Sequence, residues 1–272
     1  MSNQELLNKY KEFLLGRNQS VNYFNAIGIF FRYLESKKLE FAQVNQSVLT
    51  EFFNSKSYSS ASKNLFINSG RNYGNYLGIL KENNAFYQCK MLKVPRKIPD
   101  YLTEKDIENT KKYLITYCSK KMTPIKIRAI IDFMFYSGCR KAELLTLKRS
   151  NFNLEENTAK LYGKGDKERM ICYPEKVKIE LQDYFNSENE EHNAFNLKIG
   201  KLHYMMKKIK QYLGKNVYCH LFRHGFARNL IKKGVDLNTV SKFLGHSSVT
   251  TTAIYVDPDD EMKKELYKKY IG

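Results

Sequence analysis

Several features that mark other protein classes are missing from this sequence of 272 residues. No apolar run approaches the ~20 residues of a membrane-spanning helix, and the best candidate, residues 130–136, is interrupted by Asp132. The N-terminus has no basic-then-apolar signal pattern. We therefore expect a cytoplasmic protein.

Cysteine is also sparse. Cys89, Cys118, Cys139, Cys172 and Cys219 stand singly, without a C-x-x-C pair. This spacing indicates neither a disulfide framework nor a zinc site, so we expect free thiols that are mostly buried. A G-x-x-x-x-G-K-[ST] loop and a clear carboxylate cluster for Mg²⁺ are absent from the sequence as well. We expect no metal and no cofactor.

Acidic residues are few relative to basic ones, with 28 Asp and Glu against 46 Lys and Arg and a net charge of +18. Both parts of the chain contribute, since residues 1–95 carry +6 and residues 96–272 carry +12. A charge of this size indicates a polyanionic partner. Nucleic acid is the first candidate, and an anionic membrane surface is the second.

The first ninety or so residues predict four helices, because apolar side chains recur at helical spacing, as in Leu7, Tyr10 and Leu14. Gly16 should end the first helix and Ser20 should cap the second. Aromatic residues share the apolar stripes with aliphatic ones, which indicates a core rather than a stacking platform for bases.

Residues 95–100 contain two prolines and the adjacent cations Arg96 and Lys97, which predicts a basic linker. A new helix should begin after Thr103, its N-cap. Two β-like runs within residues 159–173 flank a glycine-containing loop and predict a hairpin. Helices are predicted near 104–119, 124–137, 141–148, 175–186, 199–213, 221–233 and 237–244. The fold class is thus mainly α with a small β-hairpin, in two domains at 1–94 and 101–272.

Three side chains suited to phosphate follow one another at helical spacing. His220, Arg223 and His224 should project from one helix face. A guanidinium offers a planar fork of donors to phosphate oxygens, and an imidazole can donate or move a proton near neutral pH. By itself this triplet is a weak signal, and a structural reading has about equal weight.

Two further segments carry candidate residues. Arg140 follows Gly138 and lies at the start of a predicted helix, where unpaired N–H groups favour an anion. The helix predicted at 237–244 should end at Gly245. His246 follows that glycine, and Tyr255 lies nine residues after His246. Tyr255 is one of 20 tyrosines, so its position alone does not mark it as a nucleophile.

Taken together and in order, these segments resemble the tyrosine recombinase (lambda integrase-like) family, and its Xer-type branch most closely. The family places an Arg at a helix start, a Lys in a β-hairpin, a H-x-x-R-H box, an L-G-H turn and then a Tyr. Every position is filled here, in the corresponding order: Arg140, Lys164, His220 with Arg223 and His224, His246, and Tyr255. The resemblance covers about 101–272. Cys219 stands where the Xer-type branch usually has proline.

The resemblance implies a site-specific DNA recombinase that works through a 3′-phosphotyrosine intermediate. Tyr255 would be the nucleophile, Arg140 and Arg223 would bind the phosphate, and Lys164 would protonate the leaving 5′ oxygen. Lys167 is the nearby rival for that last role. His220 and His246 would donate hydrogen bonds to the phosphate. His224 and Glu143 would support the site.

Residues 1–94 would form the family's core-binding domain and residues 101–272 its catalytic domain. Arg96, Lys97, Lys141 and Lys167 are the expected DNA contacts. The tail after Tyr255 would dock on a neighbouring protomer in a tetramer, although packing on its own domain is the alternative. Resolution of DNA multimers and integration or excision of a mobile element both fit. Other candidates are a type IB topoisomerase, a catalytically silent DNA-binding protein, and a basic protein that binds RNA or a membrane surface.

Overall fold

The structure is a computed structural model that describes residues 3–17, 21–94, 100–119, 122–163, 168–188, 193–246, 248–255, 267–268 and 271. The chain divides into two compact units, residues 1–96 and 97–272. The fold is mainly helical with one small antiparallel sheet, which confirms the predicted fold class.

The first unit is a bundle of helices. They are α1 (Asn3–Gly16), α2 (Val21–Ser36), α3 (Gln46–Asn54), α4 (Ser60–Tyr76) and the short α5 (Ala85–Gln88), with 3₁₀ turns at Phe41–Gln43 and Lys81–Asn83. The first four helices were predicted, and α5 was not because a single turn has too few residues to show a period. The predicted cap Ser20 lies outside the described residues.

Aromatic rings fill the centre of this bundle. Tyr10, Phe30, Phe52, Tyr73 and Phe86 are all at most 1% exposed. Their rings meet edge to face, with centroids 4.9 Å apart for both the Tyr10–Tyr73 and the Phe30–Phe52 pairs. Such pairs add to the stabilisation from apolar burial. The interpretation of the aromatic stripes as core is confirmed for these residues.

The second unit is built around α7, which is buried along nearly its whole length. Its helices are α6 (Glu104–Ile115), α7 (Pro124–Ser137), α8 (Lys141–Thr146), α9 (Glu175–Ser187), α10 (Ile199–Leu213), α11 (Cys219–Lys232) and α12 (Leu237–Leu244), with 3₁₀ turns at Arg149–Asn151, Val249–Thr251 and Ala253–Tyr255. As predicted, Thr103 caps α6 by accepting a hydrogen bond from the Asp106 N–H.

The sheet consists of β1 (Phe152–Asn153), β2 (Thr158–Tyr162) and β3 (Glu168–Cys172), in that order. The predicted hairpin corresponds to β2 and β3, with Leu161 opposite Arg169 and Tyr162 opposite Glu168. β1 was not predicted because two residues cannot show an alternating pattern. The loop residues 164–167 lie outside the described residues.

Some predicted details were wrong. α6 ends at Ile115 rather than near residue 119, since Ser119 forms a bridge with Met122. α11 begins two residues early, which puts His220 in its first turn. The cysteines are free, but most of them are not buried: of the five, only Cys139 is buried.

Gly138 should be sensitive to substitution. It ends α7 in the left-handed region at φ 58°, and an added Cβ would lie 2.5 Å from the Phe226 ring. Gly234 has φ 85° with open space around it. We expect Gly234→Ala to cost about 1 kcal/mol through backbone strain alone, and Gly138→Ala to cost about 1–3 kcal/mol more through overpacking. Thermal unfolding of both variants measures the difference, and equal losses would contradict the crowding at Gly138.

Candidate active site

Arg140 is the N-cap residue of α8, placed there by the reversal at Gly138. Its backbone N–H donates to Glu143 Oε2 at 2.7 Å and its Nη1 donates to Glu143 Oε1 at 2.9 Å. The Nη2 of Arg140 donates to the Gly245 carbonyl, 105 residues along the chain, at 2.9 Å. Arg140 therefore links the start of α8 to the turn that follows α12.

Glu143 is the buried centre of this arrangement, with 2% of its surface exposed. Besides the Arg140 contacts, it accepts hydrogen bonds from Arg169 Nη2 at 2.8 Å and from Arg169 Nε at 3.3 Å. Burial raises the pKa of the Glu143 carboxyl, but the hydrogen bonds from Arg169 and Arg140 outweigh burial, so its pKa lies below the ordinary value. Glu143 is thus a carboxylate at neutral pH.

Arg223 projects from α11 and is completely buried. Its Nη1 donates to the Gly138 carbonyl at 2.8 Å, and its Nη2 donates to the Leu244 carbonyl. Both acceptors lie at the C-terminal ends of helices, where the partial negative charge favours a cation. Burial, with Arg140 and Arg169 nearby, lowers the pKa of Arg223 to about 10, so the guanidinium stays charged at neutral pH.

His246 follows Gly245, which ends α12 in the left-handed conformation at φ 62°. The His246 Nδ1 lies 2.7 Å from the hydroxyl of Thr252, which is fully buried. Burial and the charges of Arg223 and Arg140 lower the pKa of His246 to about 4. This histidine is therefore neutral near pH 7.

Tyr255 has only 3% of its surface exposed. Its hydroxyl lies 2.5 Å from His224 Nδ1, and its carbonyl accepts a hydrogen bond from Arg228 Nη1 at 2.7 Å. Burial raises the pKa of Tyr255 to about 12, although the charge of Arg223 opposes that rise. Burial, together with His220 and Arg223, lowers the pKa of His224 to about 4. Both partners are neutral near pH 7, so in the His224 tautomer protonated at Nε2 the phenol donates and Nδ1 accepts.

His220 lies against the same site, since its ring centroid is 4.8 Å from that of His224. Burial and the charges of Arg223 and Arg140 lower the pKa of His220. On its other side His220 lines a cleft of about 430 Å³ with Lys141, Lys207 and His203. Met206, Val217, Tyr218 and Cys219 also line the cleft, and none of its lining residues within the described part of the chain carries a carboxylate.

The described part of the chain therefore brings together, through the contacts above, most of the residues expected at the site: Arg140, Glu143, His220, Arg223, His224, His246 and Tyr255. Lys141 lines the adjoining cleft. Lys164, Lys167, Arg96 and Lys97 lie outside the described residues. Two guanidiniums, neutral histidines and a phenol can together bind an anion and attack it.

Three contributors were not anticipated from the sequence: Arg169, Arg228 and Thr252. One signal was available for Arg169, because in β3 it shares a face with the buried Ile171, and a charged residue on the inner face of a strand needs a partner. Arg228 and Thr252 give no comparable signal, since nothing in the residues around them indicates the Tyr255 carbonyl or the His246 ring as a partner.

Within the described residues, no group of three His, Cys, Asp or Glu side chains is placed to hold a metal ion. No helix in the same part of the chain is long and apolar enough to cross a membrane.

Comparison with known proteins identifies the family. The profile of the phage integrase family matches residues 101–262. The chain belongs to this family. It is a tyrosine recombinase, an enzyme that breaks and rejoins DNA in site-specific recombination.

Several curated tyrosine recombinases are similar over most of their length. One from Thermosipho africanus is 30% identical, over 75% of this chain and 74% of that protein. XerC of Leptospira interrogans is 27% identical, over 97% of this chain and 92% of its own. XerD of Rickettsia prowazekii is 28% identical, over 93% of this chain and 91% of that protein.

Two solved recombinase structures share the fold. XerH, solved as a post-cleavage complex with its palindromic difH substrate, aligns with a TM-score of 0.72 at 22% identity, covering 99% of this chain and 84% of that chain. The Tn1549 transposon integrase, in complex with a circular intermediate DNA, aligns with a TM-score of 0.69 at 16% identity. The alignment covers 97% of this chain and 98% of that chain.

Proposed function

We propose that this recombinase cuts and rejoins DNA at a specific site through a covalent bond between Tyr255 and the 3′ phosphate of the cut strand. The observation that carries the proposal is the 2.5 Å contact between the Tyr255 hydroxyl and His224 Nδ1. It pairs a buried phenol with a neutral base next to Arg223, whose charge opposes the rise in the Tyr255 pKa.

In the cleavage step, the Tyr255 oxygen forms a bond to phosphorus while the bond from phosphorus to the 5′ oxygen breaks. The phenol proton passes to His224 Nδ1, and the leaving 5′ oxygen takes a proton from the Lys164 ammonium. The reverse sequence rejoins a strand. Because the phosphotyrosine ester keeps the bond energy, no nucleotide hydrolysis is required.

Arg140 and Arg223 stabilise the charge that develops on the phosphorane. Arg223 holds its guanidinium against two backbone carbonyls, and Arg140 holds its own against the Gly245 carbonyl and the Glu143 carboxylate. Each keeps further N–H donors for the phosphate oxygens. The Thr252 hydroxyl donates to His246 Nδ1, which leaves the proton on Nε2 as a donor to the phosphate. His220 is proposed to donate a second hydrogen bond to the phosphate.

The substrate is double-stranded DNA, and the protein works in the compartment that holds that DNA. The structures of XerH with its difH substrate and of the Tn1549 integrase with a circular intermediate DNA support DNA as the substrate. The net charge of +18 supports this choice, and the position of Lys141 with Lys207 in the cleft beside His220 supports a path for the DNA backbone. Arg96, Lys97 and Lys167 are proposed as further contacts. We assign core binding to residues 1–94, catalysis to 101–272, and assembly of a tetramer to the tail after Tyr255.

The proposal is tested by mapping covalent adducts. The protein is incubated with sheared DNA from its own replicon, the reaction is stopped with detergent, and DNA ends that remain bound to protein are sequenced. We expect adducts concentrated at one sequence, with the protein on the 3′ end. Adducts scattered over the DNA would point to a type IB topoisomerase, and no adducts to a silent DNA-binding protein.

The role of His224 predicts an unusual pH dependence. For an imidazole with the ordinary pKa of ~6.5, the neutral fraction would fall roughly tenfold between pH 7 and pH 5.5. With its pKa lowered to about 4, His224 stays neutral over that range. The single-turnover cleavage rate should therefore be nearly flat from pH 7 to pH 5.5 and should fall only as the pH approaches 4.

Substitution of His224 by Gln should lower the cleavage rate by about 10²-fold, the usual range for loss of a general base. His203→Gln, in the adjoining cleft, controls for the loss of an imidazole that faces the DNA path without touching the reacting atoms. It should keep the wild-type rate when single-turnover cleavage is measured at saturating protein. A wild-type rate that drops tenfold with a midpoint near pH 6.5, or a His224→Gln variant of normal rate, would remove His224 from the proton transfer.

A further inference from the structure

One face of α11 holds Tyr255 at two points. The Tyr255 hydroxyl lies 2.5 Å from His224 Nδ1, and the Tyr255 carbonyl accepts a hydrogen bond from Arg228 Nη1 at 2.7 Å. His224 and Arg228 are four residues apart in α11, so their side chains are neighbours on the helix surface. Arg228 therefore contacts the main chain of Tyr255, while His224 contacts the end of its side chain.

Arg228 is itself held in place. It has 2% of its surface exposed, and its guanidinium lies 5.5 Å from the centroid of the Tyr101 ring. This distance is within the range of a favourable cation–π contact. The segment that carries Tyr101 lies close against α11, because a Cβ at Gly225 would come within 2.5 Å of the Leu102 carbonyl oxygen. The start of the second unit thus supplies a ring that fixes the guanidinium.

Local structure alone would hold Tyr255 loosely. The residue ends the 3₁₀ turn Ala253–Tyr255, and a single 3₁₀ turn has poorer hydrogen-bond geometry than an α-helix. The Tyr255 N–H donates to the Thr252 carbonyl at 3.0 Å, which is a contact within the same segment. This bond does not relate the turn to α11.

Apolar packing does not replace the hydrogen bond from Arg228. Tyr255 belongs to a small buried cluster with Ala227, Val240 and Leu244, but apolar contacts have no preferred direction. The bond from Arg228 has a direction, and it relates the Tyr255 main chain to the helix that carries His224. Because a misplacement of about 1 Å can cost 10²-fold in rate, losing this bond should affect the chemistry.

We propose that Arg228 is a positioning residue that holds the main chain of Tyr255, so that the phenol oxygen stays aimed at the bound phosphate. The inference rests on the proposed function, in which Tyr255 is the nucleophile. Without Arg228 the phosphate would still be bound and activated, but the phenol oxygen would less often lie in line with it.

The test separates the position of the nucleophile from the activation of the phosphate. Tyrosine cleavage is measured as single-turnover adduct formation on a nicked duplex with the mapped site. Activation is measured in a Tyr255→Phe background, with hydrogen peroxide as a small nucleophile that attacks the same phosphate. Arg228→Met keeps an unbranched side chain without donors, and it should slow tyrosine cleavage about 10²-fold. In the Tyr255→Phe background, Arg228→Met should leave the peroxide rate unchanged.

Two further variants control for effects on the fold. Arg149→Met also removes hydrogen bonds to backbone carbonyls, those of Phe185 and Glu188, and it should lose stability but keep both rates per folded molecule. Arg228→Lys keeps the buried charge but not the planar fork of donors. Its loss should be smaller than that of Arg228→Met and should again be confined to tyrosine cleavage.

The outcomes distinguish this inference from the proposed function. A normal rate of tyrosine cleavage in Arg228→Met, or an equal fall in the tyrosine and peroxide rates, would overturn the inference and leave the proposed function standing. A covalent adduct formed by Tyr255→Phe would instead mean that Tyr255 is not the nucleophile, and both proposals would fall.

Discussion

Tyr255→Phe should abolish the covalent protein–DNA complex while DNA affinity stays within about twofold. The change removes one oxygen from a residue that has only 3% of its surface exposed, and the ring that remains keeps the packing. Without the phenol oxygen no bond to phosphorus can form, and no neighbouring side chain replaces it. A suicide duplex carrying the mapped site, analysed on a denaturing gel, measures the complex, and a native gel measures binding.

Tyr218→Phe is the matched control. Tyr218 lines the cleft beside His220, and its ring centroid is 6.3 Å from that of His224, which makes it the rival phenol of the site. We expect this variant to form the adduct normally. An adduct that persists in Tyr255→Phe and disappears in Tyr218→Phe would transfer the role of nucleophile to Tyr218.

Arg223→Lys should slow cleavage by about 10³-fold, near the upper end for loss of a group that stabilises transition-state charge. The lysine keeps the charge, but it cannot donate to the Gly138 and Leu244 carbonyls while also presenting a fork of donors to the phosphate. Single-turnover cleavage at saturating protein separates this loss from any change in DNA affinity.

Arg149→Lys controls for the structural part of that effect. Arg149 also donates to two backbone carbonyls, those of Phe185 and Glu188, at the end of α9 and away from the site. Both variants should lose stability, measured as a lower midpoint of thermal unfolding, but only Arg223→Lys should lose cleavage per folded molecule. Equal effects on cleavage would mean that Arg223 acts through the fold alone.

The sequence predicted the parts of this molecule that local rules determine. The Asp236 side chain accepts hydrogen bonds from the Asn238 and Thr239 N–H groups, and Gly245 ends α12, so both limits of that helix follow from its own residues. The spacing of His220, Arg223 and His224 likewise placed them on one helix.

The contacts between segments could not be predicted in this way. Glu143 lies three residues after Arg140 and was expected only as a supporting residue, yet its second partner, Arg169, is 26 residues away. Arg228 holds the Tyr255 carbonyl across 27 residues. Periodicity describes which face a side chain occupies, but not which distant backbone atom that face will meet.

Tyr255, the proposed nucleophile, shows the same division between what local sequence predicts and what distant contacts determine. The order of the segments singled out Tyr255 among 20 tyrosines, but no sequence pattern indicated that its partner would be His224 rather than His220. That assignment depends on the 3₁₀ turn at Ala253–Tyr255 and on where the turn meets α11.

Main-chain carbonyls hold both outer nitrogens of Arg223, at Gly138 and Leu244, whereas Arg140 is shared between the Gly245 carbonyl and the Glu143 carboxylate. A carbonyl carries only a partial charge, so it orients a guanidinium without cancelling its field. The site can therefore be rigid before DNA arrives and still attract an anion strongly. Any residue type could supply the carbonyl at position 244, but the Leu244 side chain is itself fully buried and is selected by packing, whereas the left-handed backbone favours glycine at positions 138 and 245.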